Sequence, residues 1–306
     1  MAESLPTCRL VTTKTRNWLI VLFILALPFA LFLGSLIFMA AGPFAPVPPL
    51  PNPNGYDGLV KAGQMIAGDP SDNHLNQQQL ERLIATNAEA LQLFRDALSN
   101  SCRVPLQYSP SYISNHLNDL AGIKRLAQAL AAEGRLAELD GHTNAAARSY
   151  VDVIRLGNAC SRGGVLIDQL VGLAVERIGT THLESLMNQL DASTCRQTAA
   201  SLGALDVQSQ TWDQVVRQER DWSRRTFPGI GNELQLLMTR KALNQAEHRA
   251  EERFKAQVLR RRQLMIDLAR RAYQLDKGQP PASAADLVPD YLKGIPQDPV
   301  TGKDLP

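Results

Sequence analysis

Residues 18–41 read WLIVLFILALPFALFLGSLIFMAA, 24 positions without a charged side chain. At the α-helical rise these make a rod of about 36 Å, longer than the ~30 Å hydrocarbon core of a bilayer. A helix is the required form there, because lipid offers backbone amides no partner. Pro28 and Gly34 are tolerated in membrane helices, and Trp18 sits where an amphipathic ring favours the headgroup layer. A cleaved signal peptide is the alternative, with Ala40, Ala41 and Gly42 as small residues near a cleavage point. The run exceeds the roughly 7–15 apolar residues of such a peptide, so an uncleaved anchor is expected.

The flanks give the orientation. Arg9, Lys14 and Arg16 precede the run, and no base follows it until Lys61. The positive-inside rule therefore places residues 1–17 in the cytoplasm and everything beyond about residue 42 outside. The expected location is the cytoplasmic (inner) membrane, single-pass, with the bilayer itself as first partner through residues 18–41. Residues 42–54, GPFAPVPPLPNPN, hold six prolines. Such a stretch cannot form a helix and favours extended polyproline geometry, a semi-rigid spacer.

A formal net charge of +2 over 306 residues gives no steer toward nucleic acid, and aromatics at 6% argue against a β-rich fold. The expected class is mainly α: the anchor, the spacer, a helical domain over 55–230, and a long helix plus tail over 231–306. Apolar periodicity predicts helices over about 76–98, 114–139, 163–190, 195–205, 208–224 and 232–275. Asn100–Pro110 reads as a loop. Between Arg240 and Arg271 stand ten Lys/Arg against four Asp/Glu, including Arg260-Arg261-Arg262. Their spread round the helix, the scarcity of aromatics and the external location exclude nucleic acid; a solvated basic face is expected, with a surface for anionic lipid headgroups or an acidic partner as the alternative.

Cys102, Cys160 and Cys195 fall outside the membrane and Cys8 inside it. An odd external number leaves one thiol unpaired or joined to another chain, with Cys102 paired to Cys160 or Cys195, or else all three are buried and free. No C-x-x-C pair, no H-E-x-x-H and no phosphate-binding glycine loop occurs. His74, His116, His142, His182 and His248 are scattered. Glu176, Glu184 and Glu219 lie on helices where only folding decides whether they meet. No catalytic, cofactor-binding or metal site is read from the sequence, and the chain is expected not to be an enzyme.

Gly134, Gly141, Ala146 and Tyr150 lie seven, five and four residues apart, across an Asp140-Gly141 helix stop. This spacing resembles a tetratricopeptide hairpin, whose small residues mark the crossing of two helices. It covers about 30 residues, and no second copy follows at the ~34-residue period. The C-terminus carries Leu287-Val288-Pro289, Tyr291-Leu292, Ile295-Pro296, Asp298-Pro299 and Thr301-Gly302-Lys303. This string resembles the segment after the long helix of type II secretion pseudopilins. The whole chain also resembles uncharacterised bacterial membrane-anchored helical proteins that end in the same tail. The pseudopilin likeness implies a tail folded back on the preceding helix, with Leu287, Val288, Tyr291, Leu292 and Ile295 docking it. It does not imply pilus building: no Gly-Phe processing site precedes the membrane run, and about 180 residues of helix separate anchor from tail. The function expected is a non-catalytic protein-binding or scaffold component of the cell envelope, its protein partners unidentified. The alternatives are an accessory subunit of a secretion or pilus-like machine, and an envelope hydrolase.

Overall fold

The computed structural model describes residues 46–72 and 74–306, together with Ala26, Leu27, Leu31, Phe32 and Gly34. The orientation residues Arg9, Lys14, Arg16 and Trp18 and most of the 18–41 run lie outside the described residues. Among the described residues no helix is long and apolar enough to cross a membrane.

Nine α-helices and two 3₁₀ turns are found among the described residues, and no β-strand. The helices are α1 (Gly55–Met65), α2 (Gln77–Thr86), α3 (Ala88–Leu98), α4 (Tyr112–Leu139), α5 (Thr143–Ser161), α6 (Leu166–Leu186), α7 (Ala192–Gln208), α8 (Trp212–Thr226) and α9 (Ile230–Lys277). Helix starts follow local chemistry. Asn76 and Gln79 form a reciprocal capping box on α2, Asp191 accepts from the Thr194 amide at α7, and Thr211 with Gln214 closes α8. Gly278, at φ 75°, ends α9 in the left-handed conformation that a side chain resists.

Two departures from the periodicity are instructive. Residues 76–98 form two helices, not one, because the Asn87 side chain leaves the helix path. Its Oδ1 accepts from the Ala67 amide at 2.7 Å and its Nδ2 donates to Leu83 O at 2.8 Å. Helix α1 is not among the expected helices, although Tyr56, Leu59 and Ala62 line its buried face, because it is short and carries Gly55, Gly58 and Gly63. It forms because Asn54 caps it and because Gly55 and Gly63 allow backbone contact with Ala97 and Gly122.

The most extensive packing is α5 against α6, followed by α9 against α7 and α4 against α5. The α5–α6 crossing is close because glycines face each other: a Cβ on Gly157 would lie 2.6 Å from Gly172 O, and one on Gly172 2.6 Å from Gly157 O. One hydrophobic core takes in residues from Tyr56 to Leu305. Leu287, Tyr291 and Leu292 of the tail are buried in it, Val288 packs against it, and Ile295 is half-buried.

The solvated basic face expected on α9 fails at its centre. Arg260 pairs with Glu184, Arg261 with Glu176 and Asp206, and Arg262 with Asp206. Carboxylates on α6 and α7, distant in sequence, meet these bases, and Arg261 is only 2% exposed.

Cys102, Cys160 and Cys195 are all free and buried. Burial pushes every one of these thiols up, Cys195 to about 11. A thiol that is both inaccessible and protonated is a poor nucleophile. Maleimide at neutral pH is therefore expected to leave all three unmodified in the native chain and to label them on unfolding, read by mass spectrometry. Native labelling at any of the three would contradict their burial.

Candidate functional site

The sequence-derived hairpin positions are brought together. Gly134 lies under the Tyr150 ring, so that a Cβ there would fall 2.4 Å from a ring carbon. Ala146 and Tyr150 are fully buried, and Gly141 holds the turn at φ 75°. The Tyr150 hydroxyl donates to Glu138, and its ring stacks on His182 at 4.6 Å. These residues set how α4 and α5 cross. They are packing residues, and the surface they position lies beside them.

That surface is an open groove of about 560 Å³, walled by α4 and α5, with Arg95 of α3 at one side and α7 at the other. Three arginines (Arg95, Arg148, Arg155) and two carboxylates (Glu133, Asp152) face it. The carboxylates are already engaged. Glu133 Oε2 accepts from Arg95 Nη2 at 2.5 Å and from Ser149 Oγ at 2.8 Å. Asp152 lies 3.5 Å from Arg95 Nε and 3.2 Å from Arg155 Nη1. Burial pushes the Asp152 carboxyl above the usual carboxylate range, with Arg155 and Arg95 pulling it back. Arg148 and Arg155 are exposed, and Thr194, Gln197 and Ser201 of α7 add hydroxyl and amide groups. The acids are thus turned inward and satisfied, whereas the outward chemistry is that of guanidinium donors, which suit carboxylate oxygens in forked geometry.

Comparison with known proteins finds no matching family model, no similar curated protein and no similar solved structure.

Two further polar clusters are internal. Arg261 Nη1 meets Glu176 Oε1 at 2.7 Å and its Nη2 meets Asp206 Oδ1 at 2.7 Å. Burial pushes the Glu176 carboxyl up, and the Arg261 guanidinium offsets only part of that. The cavity beside it, bordered by Ser161, Gln169, Glu176 and Arg261, measures about 20 Å³, which holds a water and no organic ligand. His116 Nε2 lies 2.5 Å from Asp168 Oδ1, with Tyr112 stacked on its ring at 4.8 Å. Asp168 Oδ2 also accepts from the Val165 amide. This pair clamps α4 to the start of α6.

The sequence-flagged carboxylates do not converge. Glu176 is taken by Arg261, Glu184 by Arg260, and Glu219 accepts from the Leu166 amide at 2.7 Å. Of the remaining histidines, His248 sits on an exposed part of α9 near Glu252, and His74 and His142 are exposed in turns. Among the described residues no group of three His, Cys, Asp or Glu is placed to hold a metal ion. Sequence reading missed Gly172 and Gly179, which let α6 approach α5. Their seven-residue separation, matching two helical turns, is the signal that marks them.

Proposed function

We propose that this chain is a single-pass, membrane-anchored, extracytoplasmic helical protein that acts without catalysis, by holding an acidic segment of another envelope protein in the groove walled by α4 and α5 and bounded by α7. The uncharged 18–41 run and its basic cytoplasmic flank support the anchor. The proline spacer supports a domain standing clear of the bilayer. Its far end is fastened: Asn54 Nδ2 donates to Arg103 O at 2.8 Å, and Asn54 Oδ1 accepts from the Arg103 amide at 3.0 Å.

The observation that carries the binding reading is that Glu133 and Asp152 are taken up by Arg95, with Arg155 sharing Asp152, so that the groove presents the exposed guanidiniums of Arg148 and Arg155. A photo-crosslinking residue at Gln197, inside the groove, is expected to trap a discrete envelope protein in intact cells. One at Leu139, outside it, should not trap that protein. Combining Arg148→Glu with Arg155→Glu places like charges against the bound carboxylates and should cut the Gln197 crosslink at least tenfold. Equal trapping from both positions, or indifference to the charge reversal, refutes the reading.

A second reading, an accessory subunit of a secretion or pilus-like machine, is favoured by the tail alone. Deleting 279–306 is a poor test, because it strips Leu287, Tyr291, Leu292 and Leu305 from the core. Val300, 67% exposed in the turn before Gly302, is the better probe. A secretion defect from Val300→Asp, with the fold intact, favours the machine.

A further inference from the structure

Most of the described side chains in the first half of α9 are exposed. Gln235, Met238, Thr239 and residues 241–246 all face solvent, Met238 at 79% and Leu243 at 45%. Phe227, in the turn before it, is 41% exposed. The same stretch is basic: between residues 224 and 243 the chain carries Arg224, Arg225, Arg240 and Lys241 against Glu233 alone. Exposed aromatic and aliphatic side chains interleaved with bases are the composition of a surface that lies in a lipid headgroup layer.

The loop between α3 and α4 fixes where this tip stands relative to the tether. Asn54, where the spacer ends, is bonded to Arg103. Four and five residues on, Gln107 O accepts from Trp222 Nε1 at 2.9 Å, and the Tyr108 ring sits under the Arg225 guanidinium at 5.3 Å. Five residues reach no more than about 18 Å. Trp222 in turn packs edge-on against Phe227, centroids 6.2 Å apart. Tether and tip therefore occupy the same end of the bundle. The 13-residue spacer spans about 40 Å at full polyproline extension, so the bilayer is always within the tip's reach.

We propose that this tip docks on the anionic surface of the membrane that anchors the chain, with Phe227 in the headgroup layer and the basic 224–241 segment against lipid phosphate. The proposal rests on the membrane-anchored reading above. A bilayer is favoured over an acidic protein because the tether holds one surface permanently at high effective concentration, whereas a free partner must be recruited. Each base near an anionic surface shifts the docked-to-undocked ratio about fivefold. The domain is then held by two points, the spacer and the tip, and its orientation on the membrane is fixed.

The test uses the full chain with Cys8→Ser and Phe227→Cys, labelled with a polarity-sensitive dye and reconstituted into nanodiscs of phosphatidylcholine with or without phosphatidylglycerol. The buried native thiols stay unlabelled. A second protein carries the dye at Leu139→Cys, about 40 Å along α4 from Tyr112. In phosphatidylglycerol discs the label at 227 should shift to the blue and be quenched by brominated lipid, while the label at 139 stays aqueous. Lys241→Glu, at an exposed base, should reduce the docked ratio at least fivefold, as should high salt in large part. An aqueous label at 227 in a chain that co-elutes with discs overturns docking and leaves the anchor standing. Lipid entry insensitive to the charge reversal also overturns it. Failure of the chain to co-elute with discs overturns the anchor, and docking with it.

Discussion

Replacing Arg261 with methionine is expected to cost about 3–5 kcal/mol of unfolding free energy, the loss seen when one member of a buried ion pair is removed. Arg261 lies between Glu176 on α6 and Asp206 on α7, 2.7 Å from each, and methionine strands Glu176 while Asp206 keeps Arg262. The penalty comes from the Glu176 charge left in a site without solvent, not from lost attraction alone. Glu176→Gln should be much milder, since it removes the charge and keeps the shape. Replacing all three, by Arg261→Met, Glu176→Leu and Asp206→Leu, should recover most of the loss. Urea denaturation of the full chain in detergent, followed by circular dichroism, distinguishes these outcomes. A cost below about 1 kcal/mol for Arg261→Met means the guanidinium is not engaged as described. The pH dependence has a definite sign. A carboxyl whose pKa is raised by folding adds stability below its unfolded value, and that contribution is lost as pH rises through the folded value. The stability of the wild type relative to Glu176→Gln should therefore be greatest in acid and fall toward neutrality.

The second large effect is a pair of identical substitutions with opposite signs. Gly172→Ala and Gly203→Ala each gain about 1 kcal/mol of helix propensity. At Gly172 the new methyl group meets Gly157 O at 2.6 Å and Ser161 Cβ at 2.8 Å. The first contact is with backbone, which cannot turn aside, so α5 and α6 must part. Overpacking of this kind costs about 1–3 kcal/mol and more where the element that must move is long. The net result should be destabilising by about 1–2 kcal/mol, with Gly172→Val worse. At Gly203 the nearest atom is Met265 Cε at 3.3 Å, the end of a flexible side chain. Gly203→Ala should be neutral or stabilising by up to about 1 kcal/mol. Loss of stability at both positions, measured by the same denaturation, would refute the close α5–α6 approach as the cause.

What could be read from the chain beforehand divides along sequence distance. Signals written within four residues were legible: the Asp140-Gly141 stop, the six prolines of the spacer, and the apolar rows of α4 and α6. The Asn87 break was not, because its cause is the Ala67 backbone 20 residues earlier. Arg260-Arg261-Arg262 looked like a solvent-facing basic run because the carboxylates that take it up lie 55–85 residues away. The groove was invisible for the same reason. Arg95, Asp152 and Gln197 stand on three separate helices, and no spacing rule relates them. Close approach at Gly134 was expected from the small residues there, whereas that at Gly172 was hidden inside an apolar run that reads as ordinary core.

Helix α9 is a rod of about 72 Å whose second half is seated in the core. From Ala250 onward it is fixed by buried Leu264, Leu268 and Ala272, by Arg261, and by the tail folded over it. Before Ala250 its described side chains are mostly exposed, and Arg220 of α8 reaches Glu247. The helix start lies about 30 Å from the clamp, so a tilt of about 10° in the clamped half would swing that start by about 5 Å. A small change in how α7 or the tail seats on the second half is thereby magnified at the far end, with no hinge in between.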